Sequence, residues 1–167
     1  MKKFLPILLL AFVGLFIFSC KDDDQDFDTY SKMRDVSGSF TNANGYSFTV
    51  PINIQNTDVV LIYRRDPAAS NAWQFIPKTY YLSGGRELDY NNLFDSQNVE
   101  IFTEANFDQS TMTSSEISQY LNNQTFRVVL VPASASKGGP TVDKNDYNAV
   151  VKYYNLDESK IQTIKVN

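Results

Sequence analysis

Histidine is absent from the 167-residue chain. That absence removes Ser-His-Asp and Cys-His catalysis, the most common zinc ligand, and any imidazole that would change charge near neutral pH. Cysteine occurs once, at Cys20, so no internal disulfide and no redox cysteine pair can form. Positive charge is also short: fifteen Lys and Arg stand against nineteen Asp and Glu, a formal net charge of −4. No basic patch offsets it, which argues against nucleic acid as a partner. What remains for chemistry is carboxylate, lysine or tyrosine. Aromatics, by contrast, are plentiful, with twelve Phe, ten Tyr and one Trp, a composition suited to strands.

The one long apolar run lies at the start. Met1-Lys2-Lys3 is positively charged, and residues 4–18 are apolar apart from Pro6 and Gly14. This is shorter than the ~20 residues a spanning helix needs, and its length and charged start are those of a secretory signal. At its end, Ile17-Phe18-Ser19-Cys20 resembles the lipobox of bacterial lipoproteins, although Phe18 is bulkier than the usual residue there. The resemblance implies that residues 1–19 are removed and that Cys20 carries a diacylglyceryl thioether and further palmitate-type acyl chains. Each buried methylene contributes ~0.8 kcal/mol and firm anchoring takes more than one chain, so such a terminus holds to the membrane. With Cys20 acylated, the mature chain has no thiol.

Lys21-Asp22-Asp23, directly after that cysteine, resembles the export signal that sends lipoproteins of the Bacteroidota to the outer surface of the outer membrane. Residues 20–33 carry too much charge and too little apolar surface to fold, and are expected to form an acidic tether. Asp24, Asp26, Asp28 and Asp35 share the spacing of four ligand positions in an EF-hand loop. Thr29 stands where the loop's sharp turn needs glycine, and no flanking helices are apparent, so no metal site is expected.

Removal of residues 1–19 leaves 148 residues with a formal charge of −6, enough for one domain without covalent staples. Residues 34–41 are expected to be a first strand with Val36 and Phe40 on one face, and residues 42–45 a tight hairpin turn at Asn44-Gly45. Residues 46–55 alternate strictly, and Pro51, lacking an N–H, implies that this strand lies at a sheet edge or has its proline outside the ladder. The continuous apolar run 59–64 marks a central strand. Residues 73–82 form one long strand bent at Pro77, followed by strands at 88–94 and 99–104. Residues 114–121 are expected to make a helical turn or two, and 125–131 a further apolar strand. Tyr147, Val150, Val151 and Tyr154 then fall at i, i+3, i+4 and i+7, with Asp143 and Asp146 suited to a helix start. This short amphipathic helix should cover an edge or end of the sheet before a closing strand at 160–166. The expected architecture is mainly β: an antiparallel β-sandwich, Ig-like or jelly-roll-like, over residues 34–167 with one short C-terminal helix.

Three stretches, Asp58-Val59-Val60-Leu61-Ile62-Tyr63-Arg64, Trp73-Gln74-Phe75-Ile76-Pro77-Lys78-Thr79-Tyr80-Tyr81 and Phe126-Arg127-Val128-Val129-Leu130-Val131-Pro132-Ala133, resemble a family of small Bacteroidota surface lipoproteins of unknown function. Some of its members are labelled dihydrolipoamide dehydrogenase. This sequence gives that label no support: no strand leads into G-x-G-x-x-G and a helix, no cysteine pair exists, and no flavin or nicotinamide cofactor is expected.

Three sets of side chains are candidates for chemistry. Ser134-x-x-Lys137 matches the nucleophile motif of penicillin-binding proteins, but the companion S-D-N and K-T-G elements are missing. Glu87, Asp89, Glu100 and Glu104 would pair for glycoside hydrolysis only if two of them stood ~5–9.5 Å apart across a cleft. Trp73, Tyr80, Tyr81, Tyr153 and Tyr154 are candidates for a sugar-binding platform, since an aromatic face offers apolar area with a polar rim. The expectation is an exported, non-catalytic envelope protein held by outer-membrane lipid through Cys20, a structural or interaction module. Surface glycan binding is the alternative, and an envelope protein or a glycan the expected partner.

Overall fold

The computed structural model describes residues 32–136 and 141–166. Cys20, Lys21, Asp22 and Asp23, the acidic residues Asp24, Asp26 and Asp28, and Lys137 lie outside the described residues.

Alternation along the chain becomes nine strands among the described residues: β1 (Lys32–Gly38), β2 (Ser47–Pro51), β3 (Val59–Asp66), β4 (Ala72–Phe75), β5 (Lys78–Tyr81), β6 (Glu87–Phe94), β7 (Asn98–Ala105), β8 (Gln124–Val131) and β9 (Gln162–Lys165). They form a five-stranded sheet in the order β4-β3-β8-β1-β9 and a four-stranded sheet in the order β2-β7-β6-β5. The fold is mainly β and consistent with a β-sandwich, as the sequence implies.

Between the sheets, Val36, Val60, Ile62, Phe126 and Val128 meet Phe48, Val50, Leu88, Tyr90, Val99 and Ile101. Phe40, Phe48, Tyr90 and Phe126 form the aromatic centre, with ring centroids 5.0 to 6.0 Å apart, the tilted and edge-on spacings that ring quadrupoles favour. Gly38 is required here: a Cβ on it would lie 2.8 Å from the Phe48 ring.

β3 and β8 are apolar on both faces because both faces are covered. Their outer residues Leu61, Tyr63, Val129 and Val131 pack against Tyr147 and Val150 of a second helix, described next, and against Leu156 just after it. The first helical piece, α1 (Ser114–Glu116), is one turn that continues as a π-helical turn over Ile117–Leu121. The second, α2 (Tyr147–Tyr153), is the expected amphipathic helix. It lies on the outer face of the five-stranded sheet and not at an edge or end, because its stripe has the apolar rows of β3 and β8 to bury.

Other departures have similar causes. Residues 73–82 are not one bent strand: β4 belongs to one sheet and β5 to the other, with the cis Ile76–Pro77 bond between them. Residues 42–45 make no hairpin. They form a 3₁₀ turn capped reciprocally by Thr41 and Asn44, with Gly45 at φ 64°, and carry the chain from β1 in one sheet to β2 in the other. β9 pairs with β1 in parallel, whereas every other pairing is antiparallel, because β9 begins at the end of the sheet where β8 finishes and β1 starts. Pro51 does end an edge strand, where its missing N–H costs no ladder bond.

α1 is fastened to the four-stranded sheet by Arg86, whose guanidinium pairs with Glu116 while Thr113 and Glu116 cap one another. The bond from Arg86, then that from the Thr113 N–H, holds the Glu116 carboxyl at about 2, below its ordinary 4.5. A depressed carboxyl contributes stability that is present above its unfolded value and lost as pH falls through the folded one. The melting temperature of Glu116→Gln should therefore lie below that of the parent above pH 4.5 and converge with it towards pH 2. A difference between the two that does not change with pH across that window would contradict the assignment.

Candidate functional site

Tyr63 faces Arg127 across the β3–β8 ladder, and Arg64 faces Phe126. Because successive side chains alternate faces, two arginines one register step apart end up on opposite sides of the same sheet. Both are buried, Arg64 at 0% and Arg127 at 6% exposure. They build quite different surroundings.

Arg64 points between the sheets. Its Nε and Nη2 donate to Gln124 Oε1 at 3.1 and 2.6 Å, Nη2 also to the Gln119 carbonyl at 2.9 Å, and Nη1 to Tyr80 Oη at 2.9 Å. The Tyr80 hydroxyl in turn donates to Asp66 Oδ2 at 3.0 Å, and Asp66 Oδ1 lies 3.5 Å from Arg64 Nη1. The guanidinium carbon sits 4.9 and 4.7 Å from the Tyr80 and Tyr90 ring centres. Burial pushes the Tyr80 hydroxyl up to about 12 even though Arg64 pulls it down, and burial raises Tyr90 further. Every nitrogen of this buried guanidinium has a partner, so the cage holds the two sheets together.

Arg127 points to the outer face. Asp35, its partner across the β1–β8 ladder, accepts from Nε at 2.7 Å and from Nη2 at 2.9 Å, a bidentate pair. Nη1 donates to Glu158 Oε1 at 2.6 Å and to the Tyr147 hydroxyl, which itself donates to the same Glu158 oxygen at 2.7 Å. Burial works against the Arg127 charge, but the bonds to Asp35 and Tyr147 outweigh it and raise its pKa. The Tyr147 hydroxyl is pushed up to about 12 by burial and then by Glu158, with Arg127 opposing. Asp35, the last residue of the calcium-like spacing, is thus engaged by an arginine.

The Trp73 ring lies over this cluster, its centre 4.2 Å from the guanidinium carbon of Arg127 and 5.9 Å from the Tyr147 ring. Trp73 and Tyr147 form the aromatic wall of an open cleft of about 650 Å³. Asn145, Asp146 and Asn148 at the start of α2, with Asp143 and Glu158, supply its polar rim. Each carboxylate on that rim has a structural duty on one oxygen. Asp146 Oδ1 caps α2 by accepting from Ala149 N–H at 3.0 Å, Asp143 Oδ1 accepts from Asn145 N–H at 2.9 Å, and Glu158 Oε1 takes Arg127 and Tyr147.

Of the aromatic residues picked from the sequence, only Trp73 reaches this cleft. Tyr80 lies between the sheets beside Arg64. Tyr81 is 79% exposed on the four-stranded sheet. Tyr153 and Tyr154 stack edge-on at the end of α2, centroids 4.8 Å apart, with Tyr154 packed on the outer-face cluster and its hydroxyl raised by burial. The five do not form one row. The helical period marks Tyr147 only as a packing residue, and nothing local in the sequence brings Asn145 and Asn148 at the start of α2, or Glu158 in the turn before β9, to β4.

The carboxylates Glu87, Asp89, Glu100 and Glu104 share the outer face of the four-stranded sheet, with Asp89 directly across from Glu104. Asp89 accepts from Thr79, and Glu104 from Asn91 at 2.9 Å. They stand on a sheet surface and not across a cleft. Ser134 falls in the 3₁₀ turn Ala133–Ser136 after β8. Among the described residues no group of three or more His, Cys, Asp or Glu is placed to hold a metal ion, and no helix is long and apolar enough to cross a membrane. Comparison with family models, with curated proteins and with solved structures finds no match to this chain.

Proposed function

We propose that this chain is a lipid-anchored, exported protein of the outer membrane that displays its β-domain outward as a non-catalytic interaction module of the cell envelope. The observation that carries this is the position of Cys20, at the end of an apolar leader and with eleven residues between it and the first strand at Lys32. Eleven residues reach at most about 40 Å at ~3.3–3.6 Å each, so an acylated Cys20 would keep the domain at the surface while letting it clear the headgroups. Lys21-Asp22-Asp23 supports outward export, and the resemblance to Bacteroidota surface lipoproteins supports the same placement. The non-catalytic role is supported by how the buried charges are used: Arg64 with Asp66, and Arg127 with Asp35 and Glu158, are structural partners.

The second role, surface glycan binding, is favoured by one feature, the cleft with Trp73 as its wall. Anchoring is tested by mass spectrometry of the mature N-terminus and by Cys20→Ser. The parent should carry acyl chains on Cys20 and partition into detergent, and the variant should move to the aqueous phase. An unmodified thiol in a water-soluble parent would refute it. Digestion of the domain by protease added to intact cells tests outward display.

A further inference from the structure

We propose that the cleft beside Trp73 binds a sugar ring of a neutral glycan and discriminates against acidic ones. This rests on the glycan-binding role above and adds its site and its specificity.

The cleft, at about 650 Å³, is of the size that holds small ligands. Its wall is ready-made. The half-buried Trp73 is held by the guanidinium 4.2 Å from its centre, and that guanidinium is itself fixed by four hydrogen bonds to Asp35, Glu158 and Tyr147. A flat ring already held in place loses little freedom on binding, and the C–H face of a pyranose is the kind of apolar surface that packs on it.

The rim supplies what the hydroxyls need. Asn145 and Asn148 are exposed, and their amides both donate and accept. The second oxygens of Asp143, Asp146 and Glu158 have no hydrogen-bond partner among the described residues, and ionised carboxylates only accept. Hydroxyl hydrogens match them. A uronic or sialic acid would instead bring a fourth carboxylate to a rim where Arg127 is already shared between Asp35 and Glu158, and repulsion of that kind is how a site rejects a close relative. The wall thus provides affinity for a sugar face and the rim selects the uncharged sugar.

Trp73 is the chain's single tryptophan, so its emission reports this site alone. The experiment titrates the detergent-solubilised full-length protein with a soluble glucan and a soluble mannan, and with polygalacturonate and a sialylated oligosaccharide. It follows fluorescence, and retention of the protein in native gels loaded with each polysaccharide. A neutral glycan should retard the protein and change Trp73 emission. Asn148→Ala should weaken that binding at least about tenfold without moving the melting temperature, and Tyr81→Ala, on the other sheet, should leave it intact. Retardation with unchanged emission and an unaffected Asn148→Ala would overturn the site but leave glycan binding standing. Acidic glycans bound as tightly as neutral ones would overturn the specificity. No retardation by any glycan would overturn this proposal together with the role it rests on.

Discussion

Arg64→Ala is expected to destabilise the domain by about 3–5 kcal/mol, the usual cost of removing one partner from a buried ion pair. The side chain has 0% exposure, and its removal leaves the Asp66 carboxylate, 4% exposed, without its counter-charge and Gln124 Oε1, on a residue 3% exposed, without its donors. Each group left buried without a partner incurs its desolvation penalty in full. For a domain of this size the loss corresponds to a fall in melting temperature of roughly 10–20 °C, measurable by circular dichroism. Arg64→Lys should recover little, since an ammonium cannot bridge Gln124, Tyr80 and the Gln119 carbonyl at once. Arg64→Met combined with Asp66→Asn should recover a substantial part, because the stranded charge is then gone. A cost below about 1 kcal/mol for Arg64→Ala would mean that the cage is not what holds this end of the sandwich together.

Arg127→Ala should cost less, about 2–3 kcal/mol, on the scale for leaving charged groups unpaired. Its partners are wetter than those of Arg64: the side chains of Asp35 and Glu158 are 16% and 51% exposed, and water takes over part of what the guanidinium supplied. The effect should be local as well as global. Arg127 joins β1, β8, the turn before β9, α2 through Tyr147, and the Trp73 ring, so tryptophan emission in the folded variant should shift even without ligand. Amide exchange should speed up in α2 and β9 before it does in β6 and β7. Uniform destabilisation with unchanged Trp73 emission would contradict a role for Arg127 in holding the cleft wall.

The two arginines also show where a linear reading of the chain stops. Residues 59–64 and 125–131 are legible as buried strands because they are apolar at nearly every position, but Arg64 and Arg127 look like interruptions. Only the register of β3 with β8 and β1 supplies the carboxylates, amides and rings that let each charge be buried. Carboxylates invite the opposite error. Glu87, Asp89, Glu100 and Glu104 look clustered in sequence, and the pleat places them on one outer sheet face. The carboxylates that do line a cleft, Asp143, Asp146 and Glu158, look like helix starts and a solvated turn.

By itself the sequence determined the β class, the apolar strands, the C-terminal amphipathic helix and that Pro51 donates no ladder bond. Each follows from a local period or from one residue's backbone chemistry, and neither depends on distant partners. It also carries the apolar N-terminal run, the lipobox-like stretch at Cys20 and the run of carboxylates after it, which are linear features. Tertiary structure alone decided that β4 and β5 part into different sheets, that β9 runs parallel to β1, that α2 lies on a sheet face, and that Trp73 shares a cleft with residues 143–148 and Glu158. These are pairings between segments far apart in the chain, selected by which apolar faces can bury one another and which charges can find a partner when they do.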